Sequence, residues 1–255
     1  MARPSIDFGQ AADDYARHRP GFPVRFYERV LEYGVGASGQ AVLDIGCGTG
    51  TLARGFAERS CRVVGLDPSP EMLHQAQALA REEGFSVDYV RSWAEHLPFR
   101  DASFDVICAG QCWHWFDRPR AAAEVFRLLR PGGVAMLAYF TYLSDPGTIG
   151  QISEEVLLRF NPTWPAAGSE GRFPFFVDDL TGAGLTQVDV FEFVVDVPLS
   201  HAAWVGRMRA CNGVILMSPE NAAAFDSELS ELLRQRFADP LSIPHRIYTI
   251  LARRL

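Results

Sequence analysis

An α/β fold around a mainly parallel sheet is predicted by three features of this 255-residue sequence. Strand-like and helix-like patterns alternate from residue 41 to residue 143, the signature of βαβ units. The longest apolar stretches have the length of strands, well short of a membrane span. The first of them runs into VLDIGCGTG, residues 42–50, an apolar run that ends in an acid and then places glycine at every second position.

Each element of that core has a local reason. AVLDI reads as a strand, TLARGFAERS as a helix and CRVVGLD as the next strand. Ser69 then offers a cap with Pro70 at the first helical position, and Met72, Leu73, Ala76 and Ala80 line one face before Gly84 stops the helix. FSVDYVR and FDVICAG give a third and a fourth strand. After Asp117 and Pro119, the residues Ala121, Ala122, Val125, Leu128 and Leu129 repeat at helical spacing, and RPGG breaks the pattern before a fifth strand, VAMLAYF.

Two parts lie outside this regular core, and together they predict one domain with embellishments. Residues 1–35 hold a helix-like stretch at FPVRFYERVLEYG. Residues 144–240 mix loops with two helices, one starting near Ser200 and one capped by Ser218 with Pro219 in the first position and Phe225, Leu229, Leu232, Leu233 and Phe237 on one face. QVDVFEFVVDV is a further long strand, and the segment 241–255 holds another at HRIYTILARRL. Such an insert beside a nucleotide-binding core is expected to hold the second substrate, so 40–143 is read as the cofactor-binding core and 144–240 as a substrate lid with the sixth strand.

Charge and composition narrow the function classes. The net charge of −7 comes from scattered acids, with no basic run to track a nucleic-acid backbone, and no signal-peptide core opens the chain. The expectation is a cytoplasmic protein with a small-molecule partner, no nucleic acid and no membrane; monomer and homodimer are both compatible with it. All 24 basic residues are arginine, in keeping with a GC-rich genome. The five cysteines, Cys47, Cys61, Cys108, Cys112 and Cys211, form no CxxC pair and read as reduced core thiols, so no metal site is suggested.

In an open parallel sheet, ligands sit beyond the carboxyl ends of the strands, and the first strand-to-helix turn is the natural cradle. Gly46, Gly48 and Gly50 would let the backbone pass close to a ligand while the following helix presents its N-terminal donors. Asp67, at the end of the second strand, is placed to accept both hydroxyls of a ribose. Thr51 stands where a nicotinamide-dinucleotide fingerprint would have its third glycine, which weakens the pyrophosphate reading without removing it.

VLDIGCGTG, VVGLDPS, AEHLPFRDASFDVI and LLRPGG, in that order and spacing, resemble the class I S-adenosylmethionine-dependent methyltransferases over residues 40–140. YARHRPGFP and WHWFD are similar to the small-molecule branch that includes trans-aconitate methyltransferase. FGxAAxxY at residues 8–15 is similar to the enzymes that esterify a carrier-bound malonyl group. The resemblance implies a Rossmann-like, seven-stranded, mostly parallel sheet with helices on both faces, an antiparallel last strand and a helical lid. It implies S-adenosyl-L-methionine as cofactor, S-adenosyl-L-homocysteine as product, and methylation of a small molecule.

The same resemblance assigns roles. Gly46, Cys47, Gly48 and Gly50 would pass under the methionine part, Asp44 would help fix its amino group, and Asp67 with Pro68 would hold the ribose. Trp93 and Ala94 map to the adenine edge, with stacking or packing expected of the tryptophan, and Gln111 would meet the methionine moiety. Tyr15 and Arg19 would close the pocket.

The acceptor side is read from the residues themselves. His114, and with it Tyr15, are the candidates for orienting or deprotonating an acceptor. Trp113 and Trp115 would wall a planar acceptor or serve as core aromatics. Trp204 and Arg207, with Arg209, on the helix after Ser200 suit a carboxylate, since a guanidinium grips one with two parallel hydrogen bonds; a solvated arginine face is the alternative, and Arg246 is a weaker candidate of the same kind. The function expected is O-methylation of an organic acid. The alternatives are a nicotinamide-dependent oxidoreductase and a cofactor-binding protein without turnover.

Overall fold

A computed structural model describes residues 20–255. The chain divides into two compact units. One, here the sheet unit, comprises Gly21–Phe140, Arg172–Phe193 and Ile247–Leu255; the other, the helical unit, takes in Thr141–Gly171 and Val194–Arg246. The predicted N-terminal cap segment before residue 20, with Tyr15, His18 and Arg19, lies outside the described residues.

The element order is α1 (Val24–Leu31), β1 (Ala41–Ile45), α2 (Thr51–Glu58), β2 (Arg62–Asp67), α3 (Pro70–Glu82), β3 (Val87–Arg91), β4 (Phe104–Gly110), a 3₁₀ turn (Trp113–Trp115), α4 (Arg118–Leu128) and β5 (Leu129–Tyr142). It continues with α5 (Ile149–Phe160), α6 (Phe176–Gly182), β6 (Thr186–Leu199), α7 (His201–Arg209), α8 (Asn212–Ile215), α9 (Pro219–Arg236) and β7 (Leu241–Arg253). The strands form one sheet in the order β3-β2-β1-β4-β5-β7-β6. β1 pairs parallel with β2 and with β4, β2 with β3, and β4 with β5. At one end Gly132 N donates to Arg254 O and Arg254 N to Gly133 O; at the other, Leu143 N donates to Pro244 O. Residue numbers thus rise along β5 as they fall along β7, which makes β7 antiparallel to β5, as expected of the last strand.

The caps follow the local chemistry. Ser69 Oγ accepts from Met72 N and opens a helix that buries Met72, Leu73, Ala76 and Ala80, and the Ser200 and Ser218 hydroxyls cap α7 and α9 in the same way. The helix at 118–128 ends one residue earlier than its apolar spacing suggests, because Leu129 is already paired with Phe104 on β4. RPGG does not precede the fifth strand but lies within it. The register jumps from Phe104↔Leu129 to Val106↔Val134, so residues 130–133 are extruded as a bulge. A side chain at Gly133 would come within 2.9 Å of Arg130 O and 3.0 Å of Asp105 O, so the bulge closes only with glycine there. Arg254 donates to the carbonyls of Phe126, Arg127 and Leu129, satisfying the open end of α4.

The core of the sheet unit gathers Leu43, Ile45, Leu66, Ile107, Leu128, Leu137, Tyr139, Phe176 and Ile250. The helical unit has its own core of Tyr142, Val156, Leu157, Trp204, Met208, Phe225, Leu229, Leu233 and Ile243. Between residues 144 and 240 the structure adds α5, α6 and the short α8 to the two helices expected. α5 places Val156 and Leu157 in that core beside polar Ser153 and Glu154, which blurs its apolar stripe in the sequence. Among the described residues, no helix is long and apolar enough to cross a membrane.

Candidate cofactor and acceptor site

β1 delivers its residues to the turn at 46–50 with all of Val42–Ile45 buried, and the three glycines of that turn have left-handed φ values of +66°, +54° and +77°. They do different jobs. A methyl group at Gly46 would lie 2.8 Å from Cys112 Sγ and 3.0 Å from Phe116, and one at Gly50 would lie 2.6 Å from Tyr89 Oη. Those two positions are empty so that the protein can pack beneath the turn. At Gly48 a methyl group would meet nothing within 4 Å. The side of the turn left open to an added side chain is therefore at Gly48.

Asp67 supports the turn. Its Oδ2 accepts from Gly48 N at 2.9 Å and its Oδ1 from Ser69 N at 2.9 Å, so each oxygen keeps lone-pair capacity for a further donor. Burial raises its carboxyl above the ordinary range, and the two amides at Ser69 and Gly48 pull it back. The link from Asp67 to the glycine turn spans 19 residues and has no local signature in the sequence.

Asp44 faces inward. Its side chain is 1% exposed, Oδ2 accepts from Ala53 N at 3.1 Å in the first turn of α2, and Oδ1 lies 3.7 Å from Cys108 Sγ. Burial lifts its carboxyl to about 7, against the hydrogen bonds from Cys108 and Ala53. Sequence reasoning misses this anchoring of α2, although an acid near a helix N-terminus is the available signal. Cys47 is buried, with its N–H on Leu66 O, and Pro68 accepts from Arg91 through its carbonyl. These residues converge on one sheet edge, since Asp44 pairs with Gly65 and Cys108, and Asp67 with Arg91.

Gln111 adopts a left-handed φ of +61° and donates its N–H to Ala138 O, which brings the chain back across the end of β5. Ala94 is buried in the sheet-unit core, whereas Trp93 is 65% exposed.

Three of the acceptor-side candidates, Trp113, Trp204 and Arg207, are buried. Trp113 is wholly buried, donates Nε1–H to Asp179 Oδ2 at 2.9 Å and belongs to the core, because a ring with a satisfied N–H packs as well as an aliphatic one. Trp204 is likewise buried, with Nε1–H on Ser153 Oγ at 2.8 Å. Arg207, 5% exposed, lies over the Tyr142 ring with its guanidinium carbon 5.3 Å from the centroid and donates to Cys211 Sγ, so its reach is into its own unit's interior. Arg209 pairs with Asp226, and Arg246 donates to Glu170 O. His114 and Trp115 are exposed, and His114 Nδ1 lies 3.3 Å from Tyr139 Oη.

Residues 43–137 match the family described as a methyltransferase domain. An uncharacterized methyltransferase of Mycobacterium tuberculosis is 37% identical over 150 residues, which cover 59% of this chain and 58% of the relative. A malonyl-[acyl-carrier protein] O-methyltransferase of Pectobacterium atrosepticum is 36% identical over 148 residues, covering 58% of this chain and 55% of the relative. The chain spans little more than half the length of these curated relatives. Phosphoethanolamine N-methyltransferase 2 of Haemonchus contortus, solved in complex with S-adenosyl-L-methionine, matches with a TM-score of 0.58 at 19% identity over 100% of this chain and 61% of that one, a likeness of fold. The strand order and the turn that opens at Gly48 thus agree with the matched segment, in which residues 43–137 are similar to a methyltransferase domain.

Proposed function

We propose that this chain transfers the methyl group of S-adenosylmethionine to a small-molecule acceptor, at an oxygen of an organic acid. The observation that carries the cofactor half is the Gly48–Asp67 link: a buried carboxylate at the end of β2, tied to the one glycine of the turn that faces open space. A carboxylate there suits ribose hydroxyls and disfavours a phosphorylated ribose. The curated relative that methylates a malonyl group supports an acid as acceptor.

When bound, the cofactor supplies a methyl carbon on a sulfonium. The chain's own part is to hold and orient. Asp67 would accept the ribose hydroxyls through its remaining lone pairs, and the backbone at Gly48 would hold the methionine moiety. Asp44 keeps α2 and the turn in place and would assist the amino group through water, Gln111 would meet the methionine end, and Ala94 with the exposed Trp93 would cover the adenine edge. Tyr15 and Arg19 belong to this reading through the family resemblance alone. An ionised carboxylate is already a nucleophile at neutral pH, so alignment of the reacting atoms in a water-poor site accounts for acceleration without a strong base.

Calorimetric titration with S-adenosylmethionine, NADH and NADPH tests the reading. Binding of S-adenosylmethionine alone is expected, weakened about 10- to 100-fold in Asp67→Asn through loss of charge-assisted hydrogen bonds. Preference for a nicotinamide dinucleotide, or no binding of S-adenosylmethionine by the folded protein, would return the turn to the oxidoreductase alternative.

A further inference from the structure

At the edge of β4 and β5 a buried phenol holds an exposed histidine. The hydrogen bond from Gln111 N to Ala138 O sets Tyr139 beside the chain that turns into Trp113–Trp115. The Tyr139 ring is fixed by Phe173 at 4.0 Å and Phe176 at 5.8 Å between centroids, so its oxygen has little freedom. That oxygen lies 3.3 Å from His114 Nδ1.

The protons decide what the contact does. Burial pushes the Tyr139 phenol well up, so it stays an O–H; Cys112, Arg118 and Asp179 are the titratable groups around it. The main-chain N–H of His114 already faces the phenol oxygen. A neutral phenol has a single proton to give, and Nδ1 is the acceptor within reach. With Nδ1 accepting, the proton of a neutral imidazole sits on Nε2.

We propose that Tyr139 is a positioning residue that donates to His114 Nδ1, fixes the ring as its Nε2–H tautomer, and thereby makes His114 a hydrogen-bond donor to an anionic acceptor and not a general base. The acceptor half rests on the methyl-transfer reading and deepens it: an ionised carboxylate needs a donor to orient it and no group to deprotonate it. The tautomer half rests on the geometry of the sheet unit alone.

The test is long-range ¹H–¹⁵N NMR on protein labelled at histidine nitrogen, at a pH of about 8, above the ordinary histidine value of about 6.5, with His114→Ala to assign the signals. A single Nε2–H tautomer is expected for His114 in the wild type, relaxing to a mixture in Tyr139→Phe, which keeps the ring between Phe173 and Phe176. An Nδ1–H tautomer in the wild type, or an unchanged signature in Tyr139→Phe, overturns the proposal; the wild-type spectrum decides even where that variant fails to fold. Malonate, titrated in the presence of S-adenosylhomocysteine, probes the acceptor half. Affinity within about threefold of wild type is expected for His114→Gln, whose amide nitrogen still donates, against a loss of about tenfold for His114→Ala. Equal losses in both variants, or no malonate binding to a wild type that binds S-adenosylhomocysteine, overturn the acceptor half. Failure to bind S-adenosylhomocysteine at all overturns the methyl-transfer reading beneath it, and the NMR result stands apart from both.

Discussion

The sheet unit and the helical unit both bury polar side chains, and they satisfy them from different sources. In the sheet unit the two buried carboxyl groups of the turn region take main-chain amides close in sequence, Asp44 on Ala53 N, 9 residues away, and Asp67 on Ser69 N and Gly48 N, 2 and 19 residues away, whereas the buried Trp113 indole, away from the turn, pairs with Asp179 over 66 residues. In the helical unit side chains satisfy one another, Trp204 on Ser153 over 51 residues and Tyr142 on Glu154, whose other oxygen takes Gly168 N. Buried polarity anchored on nearby backbone shapes a turn that a ligand can use. Buried polarity closed by side-chain pairs secures a core.

If that contrast holds, the largest single effect belongs to the helical unit. Trp204→Ala is expected to cost about 3–5 kcal/mol of stability, the usual range for emptying a buried aromatic site. Trp204→Phe, which keeps most of the packing and removes the indole donor to Ser153 Oγ while that hydroxyl still donates to Ile149 O, is expected to cost about 1 kcal/mol for the lost hydrogen bond. Urea denaturation of the two variants measures both; a cost under about 1 kcal/mol for Trp204→Ala would place the ring outside the core and reopen its assignment to an acceptor.

The next effect belongs to Asp44 and has a pH signature. Its carboxyl is lifted by burial from the ordinary 3.8 to about 7, so the folded chain holds a proton that the unfolded chain releases. Such a group contributes stability that is present below the unfolded value and lost as pH rises through the folded one. Between about pH 4 and pH 7 the wild type is expected to lose at most about 4 kcal/mol relative to Asp44→Asn, since each tenfold change in a proton equilibrium is worth about 1.4 kcal/mol. Parallel denaturation series from pH 4 to 8 measure the difference; a flat difference would mean that Asp44 is ionised throughout and that the amide of Ala53 carries its charge.

The same contrast explains how much is legible in the sequence. The strands up to β4, the Ser69, Ser200 and Ser218 caps and the glycine turn declare themselves within windows of a few residues, where sterics and capping act. The bulge at 130–133 reads as a break because glycine spacing does not reveal that β5 reconnects to β4 on its far side. α5 escapes notice because Ser153 and Glu154 sit inward, satisfied by Trp204 and Tyr142 at distances in sequence that no local pattern records. At the site, position along the chain is enough to find the glycines and Asp67. It does not reveal that Trp113, Trp204 and Arg207 are buried with protein partners, because residue type alone does not record the partner of a polar atom.

The smallest predicted effect tests the sheet unit's own rule at its exception. Tyr89 on β3 crosses Gly65, where a methyl group would lie 2.8 Å from its ring, and its hydroxyl ends under Gly50. That hydroxyl is buried and has no hydrogen-bond partner among the described residues, so here the backbone supplies space and no donor or acceptor. An unsatisfied buried hydroxyl costs its desolvation, and removing it while keeping the ring relieves that cost. Tyr89→Phe is therefore expected to leave stability unchanged or raise it by about 1 kcal/mol, read as the urea midpoint at unchanged slope. It is expected to leave S-adenosylmethionine affinity within about twofold, since the space below Gly50 stays filled by the same ring. A loss of more than about 1 kcal/mol would mean that the hydroxyl is satisfied in solution by an ordered water, and that the glycine turn is held from below by a polar contact as well as by Asp67 from the side.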